Sequence, residues 1–192
     1  FDRASINFSH VNYSDEPTRP LNSATALSTI LHPTHPCAPS IHVHLSYTSM
    51  KHGKSYWRIM ADLNPSLQDQ RSKERFYNAM KSTTGAFFSR GIEQGNKYFY
   101  IPALGRSRGI CHFYLEDFTL GDFTEDHQFS KNFAKHVFSV YPKIIEDILN
   151  EVEPKITSQQ RLLQLEYHTL YFFQVMTLDR GTTAGLLVHD EN

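Results

Sequence analysis

The sequence predicts an α+β domain with a large antiparallel β-sheet flanked by α-helices on both faces. Several stretches alternate apolar and polar residues with a period of two, which is typical of half-buried strands. Other stretches place Phe, Val and Ile three or four residues apart, which indicates helices with one apolar face. Short turns carrying Gly or Pro separate the strand-like stretches, so neighbouring strands are expected to pair antiparallel.

Composition limits the classes of partner that the chain can have. Its 192 residues, 40% hydrophobic and 13% aromatic, can bury one core, so we expect a single domain over residues 1–192. A formal net charge of −1 gives no overall field for nucleic acid or anionic lipid. No run of about 18 apolar residues predicts a membrane span, and no signal peptide is recognised. The first residue, Phe1, leaves open trimming at the termini and an upstream targeting segment.

Cysteine usage bears on the compartment. Cys37 and Cys111 are the two cysteines, too few for a disulfide framework, so free thiols in a reducing compartment are expected. The expected location is therefore cytoplasmic, or organellar if an N-terminal segment has been removed.

The most informative stretch of the sequence runs from Ala26 to Thr48. Its apolar start, Ala26 to Leu31, predicts a buried strand, and a stiff turn with three prolines follows. From Ser40 to Thr48 the residues alternate strictly, which predicts a second strand. Its apolar face carries Ile41, Val43 and Leu45, and its polar face carries His42, His44 and Ser46.

The two histidines admit two interpretations. Imidazoles held on a rigid strand are typical of a site with titratable groups. The alternative is that they belong to the wetted face of an antiparallel sheet. The nearby His32 and His35 are separated by Pro33, so they do not form a helical pair of zinc ligands.

The remaining elements are predicted from pattern and punctuation. Strands are expected at Phe1 to Asn12, Ser55 to Leu63, Lys97 to Ile101, Gly109 to Phe118, Tyr171 to Leu178 and Thr183 to His189. A hairpin turn around Gly53 and a glycine-containing loop from Ser89 to Asn96 connect some of them.

Three helices are predicted in addition, each from a start signal or an apolar stripe. The first covers Gln68 to Thr84. Asp126 is the predicted N-cap of the second, and Pro142 is expected either to interrupt that helix or to start the next. Thr157 and Gln160 fit the capping box of the third.

Five motifs follow one another along the chain. They are Asn7 to Val11 (N-F-S-H-V); Ser28, His32, Pro33, Pro36, Pro39 and His42 (S-x-x-x-H-P-x-x-P-x-x-P-x-x-H); Asp62, Leu63 and Pro65 (D-L-x-P); Tyr98 to Tyr100 with Arg108-Gly109 (Y-F-Y…R-G); and Asp179 to Thr182 with Gly185-Leu186 (D-R-G-T…G-L). In this order and at these spacings they resemble the oxygen-dependent coproporphyrinogen III oxidases. The resemblance covers nearly the whole chain.

The resemblance implies a flat antiparallel sheet sandwiched by helices and a homodimer, which we expect to form through the C-terminal strands. It also implies a tetrapyrrole substrate, a porphyrinogen whose propionate side chains are oxidatively decarboxylated to vinyl groups in haem biosynthesis. The co-substrate would be O2, with no organic cofactor. By the same resemblance Asp62 accepts hydrogen bonds from pyrrole N–H groups, and His42 transfers a proton.

Substrate contacts are expected at Ser28, His44, Ser46 and Arg108. The histidine matching His32 is assigned to a metal in part of the family. Two partner positions of that metal fall on Arg75 and Ala103, so we expect no metal site, with His32 as a weak candidate ligand.

Three family elements are changed in this sequence. An N-x-R segment is replaced by His44-Leu45-Ser46, a triple glycine by Arg58-Ile59-Met60, and a C-terminal G-G-R by His189-Asp190-Glu191. Loss of the arginine removes a bidentate carboxylate anchor, and Arg108 is expected to replace it. Three hypotheses follow: a working porphyrinogen decarboxylase, a non-catalytic relative that binds a tetrapyrrole or acts as a regulatory partner, and a metal-dependent enzyme using the histidines.

Overall fold

A computed structural model describes residues 3–13, 15, 18–67, 69–101, 105–151 and 155–177. Within these residues, five strands form one antiparallel sheet. In their order across the sheet they are β1 (Arg3–Asn12), β2 (Leu21–His32), β3 (Ser40–Met50), β4 (Ser55–Asn64) and β7 (Cys111–Phe118). A small separate ladder pairs β5 (Tyr100–Ile101) with β6 (Arg106–Ser107). The predicted α+β class is confirmed.

The predicted strand from Ser40 to Thr48 is the central strand of this sheet. Ile41 and Val43 are each 1% exposed and Leu45 is 8% exposed. They pack into a core with side chains of the helices, among them Phe76, Phe88, Phe133, Val137 and Tyr141. The hairpin around Gly53 is also confirmed, because Met50 N donates a hydrogen bond to Lys54 O. Gly53 has a φ of +80°, a conformation that glycine adopts without strain. Alternation therefore predicted both the strand and its buried face.

The helices are α1 (Gln70–Thr84), α2 (Phe88–Tyr98), α3 (Phe123–Glu151) and α4 (Ser158–Thr177), with a 3₁₀ turn at Gly85–Phe87. Helices α1 to α3 contribute to the core on the apolar face of the sheet. Helix α4 contacts the polar face, where the Tyr171 ring lies 4.7 Å from the guanidinium of Arg108. No described helix is long and apolar enough to cross a membrane.

The predicted boundaries of α3 were wrong. The helix begins at Phe123, and Asp122 caps it by accepting hydrogen bonds from the backbone N–H groups of Thr124 and Glu125. Asp126 lies inside the first turn and instead accepts from Thr119 and Leu120. Pro142 does not interrupt the helix, because the buried Tyr141 and Ile144 on either side of it anchor both halves in the core.

The predicted loop from Ser89 to Asn96 is helix α2, which also takes in Lys97 and Tyr98 of the predicted strand. Gly91 and Gly95 are one helical turn apart and face β7. A Cβ at Gly91 would lie 2.1 Å from the Phe113 ring, and one at Gly95 would lie 2.8 Å from the backbone of His112. These glycines therefore allow close packing of helix on strand.

The predicted strand from Tyr171 to Leu178 is helical as far as Thr177. The β-prone aromatic residues there continue a helix that a capping box starts, because tertiary context overrides β-propensity. That capping box is confirmed: Thr157 N donates to Gln160 Oε1, and Gln160 N donates to Thr157 Oγ1. Leu178, the turn at Asp179 to Thr182 and the predicted strand from Thr183 to His189 lie outside the described residues.

Candidate active site

Three titratable side chains form a row across the polar face of the sheet. In the ladder His42 of β3 pairs with Asp62 of β4, and Asp62 pairs in turn with His112 of β7. Residues directly opposite each other on neighbouring strands point to the same face. Strand register alone therefore brings the predicted pair, His42 and Asp62, together and adds a second histidine.

Asp62 is completely buried and lies at the centre of this row. Its Oδ2 accepts from Arg108 Nη2 at 2.8 Å and from the side-chain amide of Asn64. Its Oδ1 lies 3.5 Å from His42 Nδ1. Burial raises the pKa of the carboxyl, but Arg108, His42 and the Asn64 hydrogen bond together hold it below the usual value. Asp62 is thus an ionised carboxylate inside the protein.

Arg108 reaches the site from a turn held against the end of β4. Gly109, with φ of +68°, makes that turn possible, since a Cβ there would lie 2.4 Å from Asn64 Oδ1. The guanidinium is 1% exposed and lies 4.7 Å from the ring centroids of both Phe99 and Tyr171. The structure therefore brings Arg108 to the site, where it neutralises Asp62 away from solvent.

His112 was not among the predicted site residues. Its Nε2 bonds the backbone carbonyl of Arg108, its Nδ1 lies 3.1 Å from Asn96 Oδ1, and its ring stacks on Phe99. Burial is the main reason why the pKa of His112 lies below the ordinary histidine value. The carbonyl oxygen of Arg108 can only accept, so His112 Nε2 donates to it and holds the Arg108 turn in place. The period-two pattern of β7 placed His112 on the same face as Tyr114 but gave no register against Asp62.

The next two rows of the same face hold three of the predicted substrate contacts, Ser28, His44 and Ser46. Ser28 Oγ lies 2.7 Å from His44 Nδ1, and these two residues are opposite each other on β2 and β3. Ser46, one step further along β3, is 7% exposed and pairs with Arg58. All the predicted substrate-binding side chains except Arg108 therefore lie on rows beyond the His42–Asp62 row.

Comparison with known proteins bears on this arrangement. The family model described as coproporphyrinogen III oxidase matches residues 1–191. The chain belongs to the coproporphyrinogen III oxidase family. Two curated relatives are both named oxygen-dependent coproporphyrinogen-III oxidase. That of Rickettsia akari is 26% identical over 169 residues, covering 86% of this chain and 59% of the relative. That of Rickettsia prowazekii is 26% identical over 168 residues, covering 85% and 58%.

This coproporphyrinogen III oxidase family member spans less than two thirds of the length of the curated relatives that it matches. Its Asp62 and Asn64 fall within the segment that resembles the D-L-x-P motif. Because Asn64 donates to Asp62 and Gly109 packs against Asn64, that segment and the R-G segment meet in one site. Motifs far apart in sequence are therefore joined by contacts in the fold.

His32, the weak metal candidate of this family member, lies apart from the Asp62 row. Its Nδ1 is 2.9 Å from Ser40 Oγ, and its ring packs edge-on against the rings of His168 and Tyr171. Among the described residues, no group of three His, Cys, Asp or Glu side chains is placed to hold a metal ion.

Proposed function

We propose that this family member binds a porphyrinogen on the polar face of its sheet and decarboxylates its propionates with O2. In each step one propionate side chain and one O2 give a vinyl group, CO2 and H2O2. Two electrons pass from the substrate to oxygen, and the two hydrogens lost from the side chain and its carboxyl group appear in the peroxide. The substrate and O2 together supply every atom and electron of this step.

The observation that carries this proposal is the state of Asp62. Its Oδ2 is taken by Arg108 and Asn64, whereas Oδ1 is buried and has no hydrogen-bond partner within the described part of the chain. A buried carboxylate oxygen lacking a donor is an acceptor for a pyrrole N–H. The negative charge would also stabilise positive charge that develops on an oxidised pyrrole.

His42 is the proposed proton carrier. Its Nδ1 lies 3.5 Å from Asp62 Oδ1. A proton released near that oxygen therefore has a base within reach, and histidine is suited to transfer near neutral pH.

Access of the substrate to Asp62 requires movement, since Asp62 is fully buried and Tyr167 and Tyr171 of α4 lie around Arg108. We propose that α4 swings away when the macrocycle binds.

The test is incubation of purified protein with coproporphyrinogen III in air, followed by chromatography of the porphyrins with fluorescence detection. We expect vinyl products and H2O2 in air and neither under argon. A parallel variant, Arg71→Gln, changes a charge pair on α1 and α3 and should leave the rate unchanged. Absence of any vinyl product in air would contradict catalysis.

A second candidate is a relative that binds a tetrapyrrole without turnover or serves as a regulatory partner. It is favoured by the buried Arg108, which already neutralises Asp62, and by Met60 and His112, whose side chains occupy the polar face. In this case the protein would bind coproporphyrin III, the oxidised form of the substrate, and form no vinyl product. The same incubation, with porphyrin binding followed by absorbance, separates the two functions.

We also propose a homodimer that uses the C-terminal region. The chain is helical up to Thr177, so the strand predicted to begin at Tyr171 cannot form the interface there. Helix α4 instead carries exposed apolar side chains. Leu162, Leu165 and Phe172 are 59%, 63% and 65% exposed and follow one another at helical spacing. Burial of such a stripe between two copies would remove apolar surface from water. Light scattering at micromolar concentration should give the dimer mass, and a monomer would contradict it.

The chemistry without an organic cofactor or metal and the cytoplasmic location stay predictions. Metal analysis of the purified protein tests the alternative of a metal-dependent enzyme, since activity that follows metal content would support it.

A further inference from the structure

The polar face carries a second guanidinium, Arg58, whose surroundings differ from those of Arg108. Arg58 belongs to β4, where it points to the same face as Asp62, four residues away and therefore about 13 Å along the strand. Its side chain is 39% exposed, whereas that of Arg108 is 1% exposed. Arg58 is therefore a cation that a ligand on this face can reach.

A β-bulge in β7 places Arg58 against an acidic side chain. Trp57 pairs with Phe118 and Ile59 pairs with Leu115, so Arg58 faces both Glu116 and Asp117. Bulges of this kind redirect side chains and are common next to active sites.

Two side chains of helix α2 fix the bulge by hydrogen bonding to the backbone of Glu116. Arg90 Nη2 donates to Glu116 O at 3.1 Å, and Glu116 N donates to Gln94 Oε1 at 3.2 Å. The position of Glu116 relative to Arg58 is therefore set by the fold and not only by the attraction between the two side chains.

The pair leaves the guanidinium incompletely used. Arg58 Nη2 makes one contact with Glu116 Oε1, at 3.2 Å, and Arg58 Nε is buried without a hydrogen-bond partner among the described residues. An arginine that binds a carboxylate well presents two parallel N–H groups to it. The Glu116 side chain is 46% exposed, so solvent can take it up when another carboxylate takes its place.

We propose that Arg58 anchors a carboxylate arm of the tetrapyrrole, in exchange for Glu116. This inference rests on the proposed porphyrinogen site. A ring whose N–H groups lie at Asp62 carries its acidic side chains at its periphery, and Met60 and Tyr114 form an apolar cluster with Phe99 between the two charged ends. Arg58 thus selects tetrapyrroles with a free acid at this end of the sheet, and Glu116 occupies the anchor when the site is empty.

The alternative is an ordinary surface ion pair, which contributes little to stability and has no role toward a ligand. The matched comparison is Arg71 of α1, which is 60% exposed and bonds Glu151 at 2.6 Å. It is an arginine–glutamate pair that joins α1 to α3, away from the polar face of the sheet.

The test uses coproporphyrin III, an air-stable tetracarboxylate, and its neutral tetramethyl ester as probes. Binding of each is followed by absorbance for wild type, Arg58→Gln, Arg58→Lys, Glu116→Gln and Arg71→Gln, with thermal melting as a check of folding. We expect Arg58→Gln to weaken binding of the acid by about 10- to 100-fold and leave the ester unchanged. Arg58→Lys keeps the charge but loses the two parallel N–H donors, so its affinity for the acid should lie between those of wild type and Arg58→Gln. Glu116→Gln should tighten binding of the acid, because the competing carboxylate is gone.

The outcomes separate this inference from the function on which it rests. If wild type binds the acid but Arg58→Gln and Arg71→Gln bind it equally well, the anchor is wrong and the porphyrinogen site stands. If Arg58→Gln does not fold, an unchanged or weaker affinity in Glu116→Gln overturns the anchor by itself. If wild type binds neither probe, the porphyrinogen site and the anchor both fail.

Discussion

Asp62 is predicted to matter both for stability and for chemistry, and the two effects can be separated. Asp62→Asn leaves the buried guanidinium of Arg108 without its counter-charge, which should lower the free energy of unfolding by about 3–5 kcal/mol. If the proposed reaction occurs, its rate should also fall by about 10²–10³-fold because an electrostatic stabiliser is lost. Urea denaturation and turnover per folded molecule measure the two effects.

The control for Asp62→Asn is the double variant that also carries Arg108→Gln. Removing both charges should restore much of the stability, since no buried charge is left unpaired, but it should not restore turnover. His44→Ala, which removes a contact to Ser28 one row away, should have a mild effect on rate. An unstable Asp62→Asn with full activity per folded molecule would contradict the catalytic role.

His112 gives the structure a dependence on pH. Its pKa is lowered by burial, so below about 6.5 the unfolded chain takes up a proton that the folded protein does not. Stability is therefore expected to fall as pH drops below about 6.5, down to the lowered pKa of the folded state. His112→Gln should reduce this slope, as measured by denaturation at pH 5, 6, 7 and 8. An identical slope in both proteins would show that His112 does not carry the effect.

Among the elements, α2 depends most visibly on small residues. Gly95→Ala would place a Cβ 2.8 Å from the backbone of His112, so helix and strand must separate. We expect a loss of about 1–3 kcal/mol from overpacking, although alanine in an exposed helix is worth about 1 kcal/mol more than glycine. Glu93→Ala, at an exposed position of the same helix, is the control and should be nearly neutral. Denaturant unfolding compares the two, and a more stable Gly95→Ala would contradict the packing.

Helix α4 is held to the proline-rich turn through Gln164. This side chain is 8% exposed and donates to the carbonyl groups of Pro33 and Thr34 at 3.2 and 3.3 Å. Gln164→Ala would leave those acceptors without this donor, so α4 should open more readily by about 1–3 kcal/mol. Hydrogen exchange should then rise across Ser158–Thr177 and stay unchanged in β3. Uniform acceleration through the sheet would indicate global destabilisation instead.

For the whole molecule, the sequence predicted the sheet better than the helices. Alternation from Ser40 to Thr48 identified the central strand because one of its faces is buried. Gly91 and Gly95 suggested a loop, since local propensity does not show that a strand approaches the helix at those two positions. The aromatic run from Tyr171 suggested a strand for a similar reason: its environment, and not its residue types, makes it helical.

Several residues of the candidate site were predicted, but the contacts that join them were not. The resemblance to the family implied His42 and Asp62 as site residues, and the strand register places them side by side. Arg108 was expected to face substrate, yet the turn at Gly109 directs it inward to Asp62. His112 and Asn64 completed the site only through contacts between β4 and β7. The proposed chemical roles of His42 and Asp62 stay predictions.

The most direct test of the account is the structure of the protein crystallised with coproporphyrin III. We predict that the macrocycle lies on the polar face, with a ring nitrogen within hydrogen-bond distance of Asp62 Oδ1 and α4 displaced from Arg108. We also predict that one carboxylate arm contacts Arg58 in place of Glu116. A macrocycle bound elsewhere, with Asp62 still closed by Arg108 and Tyr171, would contradict the central claim.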